Sequence, residues 1–134
     1  RLGESGTGHP LEPHEWLPAP GQGAIAIECR ADDAATRSLL AAIDHAPSRH
    51  AVLAERALLA GLGGNCHSPI AVLTEADGPQ LVMRAAIFSP DGAEKVERTA
   101  CFTPGDSAAP AALAAQLLAD APEVVRVHFS GPEG

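Results

Sequence analysis

No tyrosine occurs in this 134-residue chain, and aromatic side chains of all kinds make up only 3% of it. A core must then be built from Ala, Leu, Val and Ile. The 46% hydrophobic content is enough to build one and argues against a disordered chain. Positive charge is scarce as well: 9 Lys+Arg stand against 17 Asp+Glu, a formal net charge of -8. Nucleic acid and anionic membranes are gripped through concentrated basic surface, so neither is expected as a partner, and any anionic ligand needs local help. No apolar run approaches the roughly 20 residues that span a bilayer. No charged start followed by an apolar core suggests a signal peptide, so a soluble, cytoplasmic protein is expected. The three cysteines, Cys29, Cys66 and Cys101, form no CxxC pair and are odd in number, which disfavours a disulfide framework and a structural zinc site and leaves at least one free thiol. No two of the six histidines pair at i,i+4 beside a carboxylate, so no metal is expected. The length suits one ordinary domain, or one domain with a short piece of another.

The first 23 residues hold four Pro and five Gly without usable periodicity and read as loop throughout. A domain normally opens on an element tied into its core; this stretch, starting at Arg1 rather than Met, reads as an entry into the middle of something longer. Ala24, Ile25, Ala26 and Ile27, followed by Glu28, Cys29 and Arg30, form a short apolar run suited to a buried strand. Asp32 or Asp33 can cap a helix with Leu39, Leu40 and Ile43 as its apolar stripe. After the hinge Asp44-His45-Ala46-Pro47, apolar residues recur at helical spacing from Val52 to Leu62, with Pro47 or Ser48 at the start and glycines at the end. The period then changes. Ile70 to Thr74, Leu81 to Phe88 and Lys95 to Phe102 read as three strands, joined through Asp77-Gly78 and Ser89-Pro90-Asp91-Gly92 as hairpins. Ser107 can cap an alanine-rich helix ending before Pro122, and Val125, Val127 and Phe129 suggest a short final strand. The expected fold class is α+β: a three-stranded antiparallel sheet with helices packed on one face, preceded by a strand-helix segment whose partners are not in the chain.

Two loops stand out chemically. In Gly61-Leu62-Gly63-Gly64-Asn65-Cys66-His67-Ser68-Pro69, the cysteine lies between a helix end and a strand start with little side-chain bulk around it. It reads either as a reachable thiol or as a small buried filler. His67 is poorly placed as its base, because neighbours on an extended segment point to opposite faces. The second loop, Pro18-Ala19-Pro20-Gly21-Gln22-Gly23, can expose backbone N–H groups to an anion, or be an ordinary turn; it lacks the spacing of a nucleotide-binding loop. Glu55-Arg56 and Glu97-Arg98 read as solvated charges, and Cys29 and Cys101 as core.

The stretches Leu17 to Arg30, LPAPGQGAIAIECR, and Glu55 to Ile70, ERALLAGLGGNCHSPI, resemble signature segments of porphobilinogen deaminase, also called hydroxymethylbilane synthase, in that family's order and separation. DDAATRSLLAAIDH and LVMRAAIFSPDG extend the resemblance to nearly the whole chain. The resemblance implies a transferase of tetrapyrrole biosynthesis with three domains, cytoplasmic and monomeric. It joins four molecules of porphobilinogen head to tail, with release of ammonia, on a dipyrromethane cofactor. The family carries that cofactor as a thioether on a cysteine in the loop after the first long helix of the third domain, the position of Cys66. A soft thiolate suits capture of the electrophilic methylene of an azafulvene. By the same resemblance, Gln22 and Gly23 line the cofactor cleft, Arg1 matches the last of the carboxylate-binding arginines, and Arg30 matches a recurrent arginine grouped with the cofactor-binding set. Asn65 stands where the family commonly has Gly, a mild departure because Asn tolerates left-handed backbone angles. His67 and Ser68 also depart from many members.

The family's catalytic aspartate and most of its arginines belong to an N-terminal portion that this chain lacks. Residues 1–44 then correspond to the end of domain 2 and a segment returning to complete a mostly missing α/β domain 1, and residues 45–134 to the cofactor-attachment domain 3. Alone, the chain is expected to be inactive. The competing readings are a free-standing small α+β binding or regulatory module without cofactor and, more distantly, a cysteine-nucleophile hydrolase.

Overall fold

The computed structural model describes residue 6 and residues 8–131 of the chain. Residues 8–33 contain no helix or strand. The strand expected over Ala24–Ile27 is not formed: Ile25 is 78% exposed and Ile27 56% exposed. A strand needs a neighbour for its backbone N–H and C=O groups, and no described residue supplies one. The helix expected next is present as α1, Ala34–Leu40, continued by a 3-10 turn over Ala41–Ile43. Asp33 caps it, accepting hydrogen bonds from Thr36 N at 2.9 Å and Thr36 Oγ1 at 2.7 Å. Nothing in α1 is buried.

From residue 45 the chain folds onto itself. Helix α2, Ala46–Leu62, starts with His45 as its cap and Pro47 in its first turn. It stops at Gly63, whose φ of 63° is left-handed, with Gly63 N bonded to Ala60 O and Gly64 N to Leu59 O. Strands β1 (Ile70–Asp77), β2 (Gln80–Phe88) and β3 (Lys95–Phe102) form an antiparallel sheet with β2 in the centre. In its register Val72 opposes Ala85, and Ala85 opposes Arg98. Successive side chains alternate between faces, so Val72, Leu81, Met83, Ala85, Ile87 and Phe102 point to the side where the helices lie. Helix α2 covers β1, and α3, Ala108–Asp120, covers β3 beside it. The two helices approach closely where Gly61 meets Ala111 and Ala114; a methyl on Gly61 would lie 2.9 Å from Ala114 Cβ.

Two local expectations change. Ser107 precedes α3 but makes no side-chain cap; Asp106 Oδ1 accepts from Ala108 N at 2.8 Å and Ala109 N at 3.1 Å instead. The tail over Val125–Phe129 is no strand. Glu123–Arg126 forms a short helix, α4, followed by a turn. Val125 and Phe129, four apart, share the inward face of that turn and are buried, while Val127 is exposed. Leu58 and Leu62 of α2, Leu113 and Leu117 of α3 and Val125 of the tail complete the core over the sheet.

Candidate functional site

Cys66 lies at the apex of a tight turn. Ser68 N donates to Asn65 O at 3.0 Å, Asn65 N donates to Ser68 Oγ at 2.9 Å, and His67 N donates to Asn65 Oδ1 at 2.9 Å. These three bonds close residues 65–68 on themselves and leave Cys66 exposed. Asn65 earns its place through this side-chain bond rather than a left-handed backbone, since among the described residues only glycines have positive φ. The turn is anchored on both sides. Before it, the end of α2 is pinned by the tail: Gly131 N donates to Leu62 O at 3.1 Å and Ser130 Oγ to Gly63 O at 3.2 Å. A methyl at Gly63 would collide with the Gly131 backbone. After it, Ile70 begins β1. No described side chain hydrogen-bonds to the Cys66 thiol, His67 included, so no general base is paired with it. The arrangement presents a thiol with open space around it on a well-held support.

The turn carrying Gln22 and Gly23 is built equally locally. Gln22 N donates to Ala19 O and Ala24 N to Gly21 O, while Ala19 N donates to Gln22 Oε1 at 3.0 Å. Gly21 and Gly23 have φ of 67° and 80°. The Gly21 N–H, turned outward by that geometry, donates to Glu55 Oε2 of α2 at 2.7 Å. The anion at this turn is thus a carboxylate of the protein itself. Upstream, Pro18 O accepts from Val72 N at 2.7 Å on the free edge of β1, and Arg84 Nη1 donates to His14 O at 2.6 Å on the opposite face of the sheet. The segment from His14 to Gly21 therefore wraps the β1 edge, from the face away from the helices to the helix side.

Glu55 is the residue sequence reasoning missed. Expected to be solvated, it is 8% exposed. Burial pushes its carboxyl above the ordinary glutamate value, against the hydrogen bond from Gly21 and the neighbouring Thr74. The available signal was spacing: Glu55, Leu58 and Leu62 fall at i, i+3 and i+7, on the inward stripe of α2. Glu97, by contrast, is shared between Arg84 and Lys95, and these cations hold its carboxyl below the ordinary value.

Between the turn and α2 runs an open groove of about 670 Å³, lined by Gly23, Ile25, Ile27, Val52, Arg56 and Leu59 among others. Leu59 joins it to the cysteine loop, for a methyl on Gly64 would lie 2.7 Å from Leu59 Cδ1. Gln22 and Gly23 are both exposed at the turn, and Gly23 lines the groove. Arg30 is exposed just before α1, outside the groove, and Arg1 lies outside the described residues. Cys29 and Cys101, expected in the core, are both exposed. Cys29 lacks the strand that was to bury it. Cys101 opposes Val82 on the face of the sheet away from the helices.

A family model described as Porphobilinogen deaminase, C-terminal domain, matches residues 50–120, and one described as Porphobilinogen deaminase, dipyromethane cofactor binding domain, matches residues 1–38. Among curated proteins, the porphobilinogen deaminase of Sphingopyxis alaskensis is 54% identical over 132 residues, 97% of this chain and 41% of the relative. That of Paracoccus denitrificans is 54% identical over 81 residues, 60% of this chain and 26% of the relative. That of Xanthomonas oryzae pv. oryzae is 48% identical over 79 residues, 59% of this chain and 26% of the relative. The chain thus spans about two fifths of the Sphingopyxis protein's length.

Proposed function

The chain belongs to the porphobilinogen deaminase family, and on that premise we propose that it serves as the C-terminal portion of a hydroxymethylbilane synthase. In this reading it carries the dipyrromethane cofactor as a thioether on Cys66. The observation that supports it most is the exposed Cys66 on a turn closed by Asn65 and Ser68 and held by the end of α2. The residues fit such a group. The Cys66 thiol is exposed, and an open hollow of about 750 Å³ lined by Gly63, Gly64, Asn65 and Ser130 lies against its loop, leaving room for flat pyrrole rings. When bound, the cofactor supplies the pyrrole to which porphobilinogen units are added. The chain's own residues anchor it through Cys66 Sγ and line its cleft with Gln22 and Gly23. Arg1 belongs to the same proposal as a carboxylate partner, and Arg30 as a member of the cofactor-binding set.

Catalysis in this reading needs an aspartate and further arginines from an N-terminal portion. The exposed apolar residues Ile25, Ile27, Leu39 and Ile43 favour such a portion, since burying each is worth about 1.5–3 kcal/mol. The chain alone is then inactive, and the complete enzyme is a cytoplasmic monomer acting on porphobilinogen. Intact-mass measurement tests this when the chain is produced together with an N-terminal portion from a relative. A covalent adduct of two pyrrole units on Cys66, absent in Cys66→Ser, is expected. An unmodified thiol in a folded, complete assembly would favour a cofactor-free binding module, and porphobilinogen consumption by the purified chain alone would overturn the assigned division of labour.

A further inference from the structure

The carboxyl of Glu55 is buried, yet no cation and no second carboxylate lines the hollow around it among the described residues; Gln22, Ser48, Ala51, Leu73 and Thr74 stand there instead. Burying a carboxylate without a cation is unfavourable unless hydrogen bonds replace its lost water. The bond supplied here comes from the backbone of a distant segment, Gly21 N–H, at 2.7 Å. Thr74 Oγ1, in the same hollow, is buried with no partner within hydrogen-bonding distance, so among the described residues the Gly21 N–H is the one donor bonded to the carboxyl. Glu55 and the turn therefore depend on each other.

We infer that Glu55 is a positioning residue that clamps the Pro18–Gly23 turn, and with it Gln22 and Gly23, onto the helix that carries the cysteine loop. Two features of the fold give the clamp a purpose. Residues 24–33 form no helix or strand, so the turn cannot be located from that side. Helix α2 is continuous from Glu55 to Leu62, about 10 Å along its axis, and its Gly63 cap leads directly into the Cys66 turn. One rigid element thus fixes both the turn and the thiol, with the Pro18 O bond to Val72 N as a second tether. The bearing of this clamp on a cofactor rests on the proposed role of Cys66; the clamp itself does not.

Amide hydrogen exchange on the 134-residue chain tests it. In Glu55→Ala, Gly21 N–H should exchange roughly ten-fold faster, about 1.4 kcal/mol, while the amides of Leu58 and Met83 keep their protection. Glu55→Gln, which retains an acceptor oxygen of the same reach, should restore most of the Gly21 protection. Unchanged Gly21 exchange in Glu55→Ala overturns the clamp. If that variant loosens the core amides as well, Glu55→Met, which refills the space without a carbonyl acceptor, carries the same two outcomes. The link to the thiol is read separately, as the rate at which the Cys66 adduct appears by intact mass when the chain is produced with an N-terminal portion. Slower attachment in Glu55→Ala, rescued by Glu55→Gln, supports positioning, and attachment at the wild-type rate overturns it. Wild-type chain that shows the Gly21 effect but never acquires an adduct overturns the cofactor reading and leaves the clamp standing.

Discussion

Residues 8–44 and residues 45–131 contain apolar side chains of the same kinds and treat them in opposite ways. In the second region Leu58, Leu62, Leu113 and Leu117 are sealed between two helices and a sheet. In the first, Ile25, Ile27, Leu39 and Ile43 are left facing solvent, and the attachments to the second region are polar: hydrogen bonds to the β1 edge, to Arg84 and to Glu55, and the Asp44–Arg49 ion pair. The difference is not one of composition. A helix satisfies its own backbone and forms wherever capping and propensity allow, as α1 does behind Asp33. A strand has to find its partner elsewhere. The second region holds three consecutive strands that pair through short hairpins; the first holds one apolar run and no partner for it among the described residues.

The largest test of this contrast is Leu58→Ala. Its side chain is wholly buried in the core, and the substitution should cost about 2–5 kcal/mol of unfolding free energy by denaturant titration. A loss below about 1 kcal/mol would mean that the second region is no better packed than the first. Gly63→Ala should follow, at about 2 kcal/mol. It forces a side chain into a left-handed conformation and against Gly131, breaking the tail's hold on the end of α2. The same experiment should show faster alkylation of Cys66 once its turn is loosened; an unchanged rate would place the support of that turn elsewhere.

Most of the second region is legible from spacing, and the exceptions have physical causes. The Val125, Val127, Phe129 alternation fits a strand, but i and i+4 on a helical turn bury Val125 and Phe129 equally well, and with no strand edge offered the turn prevails. Cys101 sits in an apolar strand, yet only alternate residues of a one-sided sheet face the core, and the register puts it on the other face. Cys66 was readable as a candidate because glycines flank it, whereas the hydrogen bonds of Asn65 and Ser68 that hold its turn were not. Glu55 was misread because a Glu-Arg pair on a helix usually faces water; its place on the Leu58–Leu62 stripe outweighed that habit. The run at 24–27 was misread because local pattern carries no information about whether a partner is at hand.

A smaller effect is expected at Glu55, where the two regions meet. Its pKa is raised in the folded chain, so it favours folding fully below its ordinary value of 4.5, and that contribution is lost as pH climbs through the higher folded value. Glu55→Gln, which cannot ionise, should therefore melt above the wild type at neutral pH, with the gap closing on acidification. Asp33, Asp91 and Glu97 have lowered values and act in the opposite sense, losing stabilisation as pH falls, but they are common to both proteins and cancel in the difference. A gap that stays constant from neutral to acid pH would show that Glu55 is solvated after all, and would detach the turn from α2.

The smallest effect should come from Ile25→Ser and Ile27→Ser. These side chains are largely in water already, so making them polar removes little buried surface, and the unfolding free energy of the chain should change by no more than about 0.5 kcal/mol. The same replacements acquire weight only if the face they form is covered. In an assembly with the proposed N-terminal portion, each buried isoleucine would contribute about 1.5–3 kcal/mol, so the pair should sharply reduce co-purification while leaving the chain's own melting temperature unmoved. Both measurements bear on the contrast between the regions. Destabilisation of the chain alone by more than about 1 kcal/mol would show that the segment already packs against the helical layer in solution, and the division at residue 44 would lose its physical basis. Unchanged stability together with unchanged co-purification would remove the apolar face as the reason to expect a partner there.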